Sequence, residues 1–137
     1  MTIFEIEADL IREKKAIDLF VGLFNGTYQK LGSYDIDYKV FKDNSLIAYA
    51  EVKGRIRTLD NAYPLPISAH KLIKLIDKGL TSVLIWACED GIIYGKVNEL
   101  KGEIKWGGRP PRVSSSNDSE MMVYYSKQYS LKNIIFN

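Results

Sequence analysis

Two strand-like runs of this sequence carry charges where strands usually avoid them: Asp35 and Asp37 inside "YDIDYKVF", and Glu51 and Lys53 at the end of "LIAYAEVK". Charged side chains are depleted in strands and costly to bury unpaired, so the placement asks for a chemical reason. Two carboxylates, completed by backbone carbonyl and water oxygens, suit Mg²⁺, which keeps an octahedral oxygen shell and commonly takes one or two protein carboxylates. A lysine beside them would meet an anion or a metal-bound water. Such a set polarises a phosphoryl oxygen, activates a water and steadies the negative charge that builds in the transition state. The chemistry these residues suggest is phosphodiester hydrolysis.

A glutamate two residues before a lysine is a weak signal alone, since it occurs at Glu13 and Lys15, at Glu51 and Lys53, and at Glu103 and Lys105. The first pair lies in a helical pattern, where residues two apart diverge, and reads as a solvated face. The third has Asp90 upstream, but "EDG" reads as a hairpin tip and Gly-Gly follows the lysine, so it reads as a decoy. Only the middle pair follows an aspartate-bearing strand. Residues two apart on a strand share a face, which would bring Asp37 or Asp35, Glu51 and Lys53 to one edge of a sheet.

The elements that must position them follow from periodicity. Ile6, Leu10, Ile17, Phe20, Val21 and Phe24 predict an amphipathic helix over residues 4 to about 24, stopped near Gly26. Alternation predicts a strand over 34–42, a "KDNS" turn and a hairpin partner in "LIAYAEVKG". "RIRTLDNAYPLPIS" reads as a loop. Ser68 then caps a second helix whose apolar stripe would be Ala69, Leu72, Ile73, Ile76 and Leu80, with Lys71, Lys74 and Lys78 as a basic stripe opposite. "SVLIWACED" suits a strand covered on both faces, and "GIIYGKV" its partner across "EDG". A short "EIKW" strand, a "GGRPPR" loop, a polar spacer, "MMVYY" and a terminal helix around "LKNIIF" complete the chain. The expectation is a single α/β domain over residues 1–137, a central mixed β-sheet flanked by helices.

Composition sets bounds. The formal charge of +2 is too small to point to nucleic acid by itself, so local clustering has to do that. One cysteine, Cys88, and one histidine, His70, rule out a disulfide framework and a Cys/His zinc cluster. The acidic start "MTIFEIEADL" does not suit a signal peptide, and no apolar run approaches the roughly 20 residues that span a bilayer. A soluble, cytoplasmic protein in a reducing setting, with no membrane partner, is expected.

Helix, a strand with Asp37, "AEVKGR", a helix opening "SAHK" and an apolar strand together resemble the PD-(D/E)XK nuclease superfamily, which includes restriction endonucleases, archaeal-type Holliday junction resolvases and small viral nucleases. The resemblance covers roughly residues 5 to 95. It implies a restriction-endonuclease-like core, with Asp37 and Glu51 as Mg²⁺ ligands, the Val52 carbonyl as a further ligand, and Lys53 as catalytic lysine. It also implies an acid on the first helix, Glu7 or alternatively Glu5, and a polar residue opening the second, which falls at Lys71. Ile36 stands where the family has proline, so Asp35 remains a rival to Asp37. Mn²⁺ would substitute for Mg²⁺.

Arg55 and Arg57 with Tyr63 beyond the site, Lys74 on the basic stripe, and Arg109 and Arg112 with Trp106 are the candidate nucleic-acid contacts. The expected substrate is DNA, branched or single-stranded. A Holliday junction would call for a homodimer joined through "MMVYY" and "IIF". The alternatives are a single-stranded or general endonuclease and a non-catalytic binding module.

Overall fold

The computed structural model describes residues 3–32, 38–108 and 119–137. Helix α1 spans Ile3–Gly22, close to its expected limits. Strand β1, Thr27–Lys30, follows and was not foreseen. Strands β2, Tyr38–Lys42, and β3, Ser45–Gly54, form the expected hairpin, turning at Asp43 and Asn44, which both take positive φ. Asp and Asn tolerate that left-handed region better than other non-glycine residues.

The stretch read as a loop holds a 3-10 turn at Leu59–Asn61 and strand β4, Leu65–Ser68. Pro66 masked this strand in the sequence. It is tolerated because β4 is an edge strand, where a ladder can lose one donor. Helix α2, Ala69–Ile76, follows, with the Ser68 hydroxyl accepting from the Lys71 amide as its N-cap. Strands β5, Thr81–Ala87, and β6, Gly91–Lys96, pair antiparallel as expected. Strands β7, Glu103–Gly108, and β8, Ser119–Tyr125, form a second hairpin.

The chain ends in strand β9, Lys132–Ile135, not the expected helix. Its register places Ile134 against Ile92 along the open side of β6. So short a segment gains more from pairing with an existing sheet than from nucleating an isolated helix.

Two sheets result. One runs β1-β2-β3-β5-β6-β9, mixed because β3 and β5 are parallel; the other runs β4-β8-β7. Alternation on β5 explains the layering: Val83, Ile85 and Ala87 face a core shared with Ala16, Ile17 and Phe20 of α1. Leu84, Trp86 and Cys88 face a second core under α2 and the smaller sheet, with Leu65, Leu75, Val123 and Tyr125. The Trp86 indole N–H donates to the Pro66 carbonyl at 2.8 Å and ties the two sheets. The architecture is the α/β, helix-flanked mixed sheet expected of a restriction-endonuclease-like core.

Two packing expectations are corrected. In α2 the expected Ala69 and Leu72 do pack on the second core, but the fully buried residue is Leu75, while Ile73, Ile76 and, beyond the helix, Leu80 are exposed, so the helix is rotated about its axis from the expected stripe. In β8, Val123 and Tyr125 pack into the chain's own second core and Met122 is buried, whereas Met121 is exposed, so only part of "MMVYY" is open to a partner. Among the described residues no helix is long and apolar enough to cross a membrane.

Candidate active-site cleft

Strand β3 outruns its described partner on one side, since the β2 ladder begins at Tyr38 opposite Ala50. Beyond that point, among the described residues, β3 continues through Glu51, Val52, Lys53 and Gly54 paired with β5. Ala48, Ala50 and Val52 turn into the α1 core, whereas Tyr49 packs on the opposite core. The period of two therefore puts Glu51 and Lys53 with Tyr49 on the α2 side.

A cleft of about 270 Å³ opens there, lined by Asp9, Arg12 and Glu13 of α1, Val52, Lys53 and Gly54 of β3, Ile56, and Lys71 of α2. It sits at the carboxyl end of the parallel pair β3/β5, where open α/β sheets place ligands.

Glu51 is 3% exposed, and its carboxylate lies 3.8 Å from the Lys71 ammonium on the first turn of α2. Burial pulls the Lys53 ammonium below the usual lysine value, and the Lys71 charge pushes the same way. The carboxylates of Glu51 and Glu120 oppose both effects. Glu120, near the start of β8, therefore acts on the same cleft electrostatically.

The residues expected at the site fare differently. Lys53 and Lys71 line the cleft together with Val52, and Glu51, itself not among the lining residues, is buried behind it with its carboxylate on Lys71. Glu7 is exposed on α1 and is not among the described lining residues, where Asp9 and Glu13 are found instead. Glu13, expected on a solvated face, instead accepts through its carboxylate from Lys30 Nζ at 2.9 Å and from the Tyr38 hydroxyl at 3.3 Å. The available signal was its position one turn before buried Ile17, on the face of α1 that meets the sheet.

Asp35, Asp37, Arg109 and Arg112 lie outside the described residues, as does the side chain of Glu5. Arg55 donates through Nε to the Ala62 carbonyl at 2.9 Å and through Nη2 to the Pro64 carbonyl at 3.2 Å, which braces the following loop. Arg57 and Lys74 are exposed, and the Lys78 ammonium sits over the Tyr49 ring at 5.7 Å. Tyr63 is partly buried at the margin of the second core.

The third Glu/Lys pair is remote in kind. Glu103 and Lys105 form an exposed 3.5 Å ion pair on β7, and Asp90 accepts from the Leu59 amide at the β5–β6 turn. Among the described residues no group of three His, Cys, Asp or Glu side chains is placed to hold a metal. A divalent cation is compatible with the site chemistry nonetheless: a buried carboxylate held by a lysine that lines a polar cleft, with a second lysine beside it, offers one anionic oxygen ligand and cations for a second anion.

The model of a family described as "Phage putative PDDEXK endonuclease" matches residues 2–130. No match is found among the curated proteins or the solved structures.

Proposed function

The chain belongs to the phage PDDEXK endonuclease family, and on that premise we propose that it is a Mg²⁺-dependent endonuclease that hydrolyses DNA phosphodiester bonds. The observation that carries this reading is the cleft at the end of β3 lined by half-buried Lys53 and by Lys71, whose ammonium lies 3.8 Å from the buried Glu51 carboxylate.

In this reading Glu51 and Asp37 hold the cation, with the Val52 carbonyl as a further oxygen ligand. Asp37 directly precedes Tyr38, which pairs with Ala50, the residue before Glu51. Asp9 or Glu13, and not Glu7, supplies the acid from α1. Mg²⁺, or Mn²⁺ in its place, supplies a Lewis acid that polarises a phosphoryl oxygen and acidifies a water. The Lys53 ammonium donates to oxygens of the phosphate as negative charge grows on them, and its partial burial strengthens that interaction over one made in bulk water. Lys71 holds the Glu51 carboxylate and adds positive charge toward the incoming strand. Exposed Arg57 and Lys74 extend that charge along the DNA backbone.

Within DNA we favour a branched substrate cut by a homodimer, as in Holliday junction resolution, with the exposed β9 edge around Ile135 as the surface left for self-association. A second reading, a single-strand endonuclease, is favoured by one observation. Trp106 on β7 is 71% exposed and offers a ring on which an unpaired base can stack. Either way the protein would act in the cytoplasm of the host.

Metal linkage tests the site. Mn²⁺ at about a hundredfold its Kd should stabilise the parent by about 2.7 kcal/mol. That gain should vanish in Glu51→Gln and in Asp37→Asn and persist in Glu103→Gln. An equal gain in all four proteins would place the cation elsewhere.

A further inference from the structure

The cleft holds a cation that the motif does not include. Arg12, on α1, lines it together with Lys53 of β3 and Lys71 of α2. A Cβ built on Gly54 would lie 3.6 Å from Arg12 Nη1, so the guanidinium rests against the bare backbone at the end of β3. Its side chain is 26% exposed, against 58% for Lys71.

What holds Arg12 there is weak. Its Nη1 lies 3.4 Å from the Asp9 carboxylate one turn earlier on the same helix, and Asp9 is 56% exposed. An exposed ion pair of this kind contributes little and is readily exchanged for a better anion. The other carboxylates nearby are engaged by other groups: Glu13, in the cleft, by Lys30 and Tyr38, and Glu51, behind it, by Lys71. A guanidinium offers a planar fork of donors that matches two oxygens of one phosphate, which an ammonium cannot do.

We propose that Arg12 is a substrate-binding residue of this cleft that leaves Asp9 and grips a DNA phosphate beside the scissile bond. The proposal deepens the nuclease reading and rests on it for the word scissile; the phosphate contact itself is measurable without cleavage.

Two measurements test it on the full chain, with Arg12→Ala and Arg12→Lys beside the parent. The first is binding of a fluorescently labelled DNA oligonucleotide in EDTA across a salt series. Loss of one phosphate contact lowers the slope of log K against log salt by about one in Arg12→Ala. The second is single-turnover cleavage with Mn²⁺. Arg12→Ala should lose about 100-fold, Arg12→Lys should lose less, and free guanidinium ion at low concentration should restore part of the Arg12→Ala rate at an unchanged Tm. An unchanged salt slope in Arg12→Ala would overturn the proposal, as would a cleavage loss that tracks a lowered Tm without rescue by guanidinium. A parent that binds DNA with the predicted slope difference but cuts nothing would contradict the nuclease reading and leave the phosphate contact standing.

Discussion

Holding Glu51 at 3% exposure removes a carboxylate from water, a cost that only pairing offsets. A residue kept for chemistry at the expense of stability has a recognisable signature: its neutral isostere is at least as stable as the parent. Glu51→Gln should therefore have a Tm equal to or above that of the metal-free parent while abolishing activity, read by calorimetry and a cleavage assay on the same preparation. Cys88 makes the opposite case, a buried group with no chemistry. Burial, with Asp90 adding to it, pushes its thiol up to about 11. Ellman's reagent should leave the native protein untouched at pH 8 and label one thiol after denaturation. The sign of the linkage follows from the raised value: the neutral thiol's contribution is complete below the unfolded pKa near 9 and is lost as pH rises through about 11. The parent's stability advantage over Cys88→Ala should shrink across that window in urea titrations.

At the scale of elements, α2 shows how far periodicity reaches. Its start was legible because Ser68 is a capping residue ahead of a helical run, and the cap is present. Its rotation was not, because Leu72, Ile73, Leu75 and Ile76 are all apolar and the pattern alone does not say which of them the sheet claims. Leu75→Ala should cost about 2–5 kcal/mol and Ile73→Ala less than about 0.5 kcal/mol in denaturant unfolding; the reverse order would restore the expected stripe. The β2–β3 hairpin and the β5–β6 pair were legible for the opposite reason: alternation or a continuous apolar run, each bounded by turn residues, leaves one solution. Strands β4 and β9 were hidden, one by Pro66 and one because its pairing partner lies some forty residues away, information that no local window carries. The same limit applies to the site. Glu51 and Lys53 share a strand and could be matched by spacing, whereas Arg12, Asp9 and Glu13 reach the cleft only because α1 packs across the sheet.

Across the whole molecule, the two cores divide the tryptophans into a silent reporter and an open one. Trp86 is fully buried and bonded to Pro66, and Trp106 is exposed on the smaller sheet. Titration with single-stranded oligonucleotide in EDTA should quench the emission of Trp106, and Trp106→Phe should abolish the quench while leaving the blue-shifted Trp86 signal. Duplex that binds without quenching would assign the smaller sheet no part in recognition. The near-neutral balance of +2 gives no long-range attraction for DNA, so binding rests on the cations gathered at one cleft and should weaken steeply with salt.

Whether the buried Glu51 carboxylate beside this cleft serves DNA cleavage is decided by incubating labelled four-way junction, duplex and single-stranded DNA with the parent, Glu51→Ala and Glu103→Ala, in Mg²⁺, Mn²⁺ or EDTA. The parent and Glu103→Ala should cut only with the metal present, and Glu51→Ala should not cut. Cutting that survives Glu51→Ala, or a parent that cuts none of the three substrates, would contradict that role.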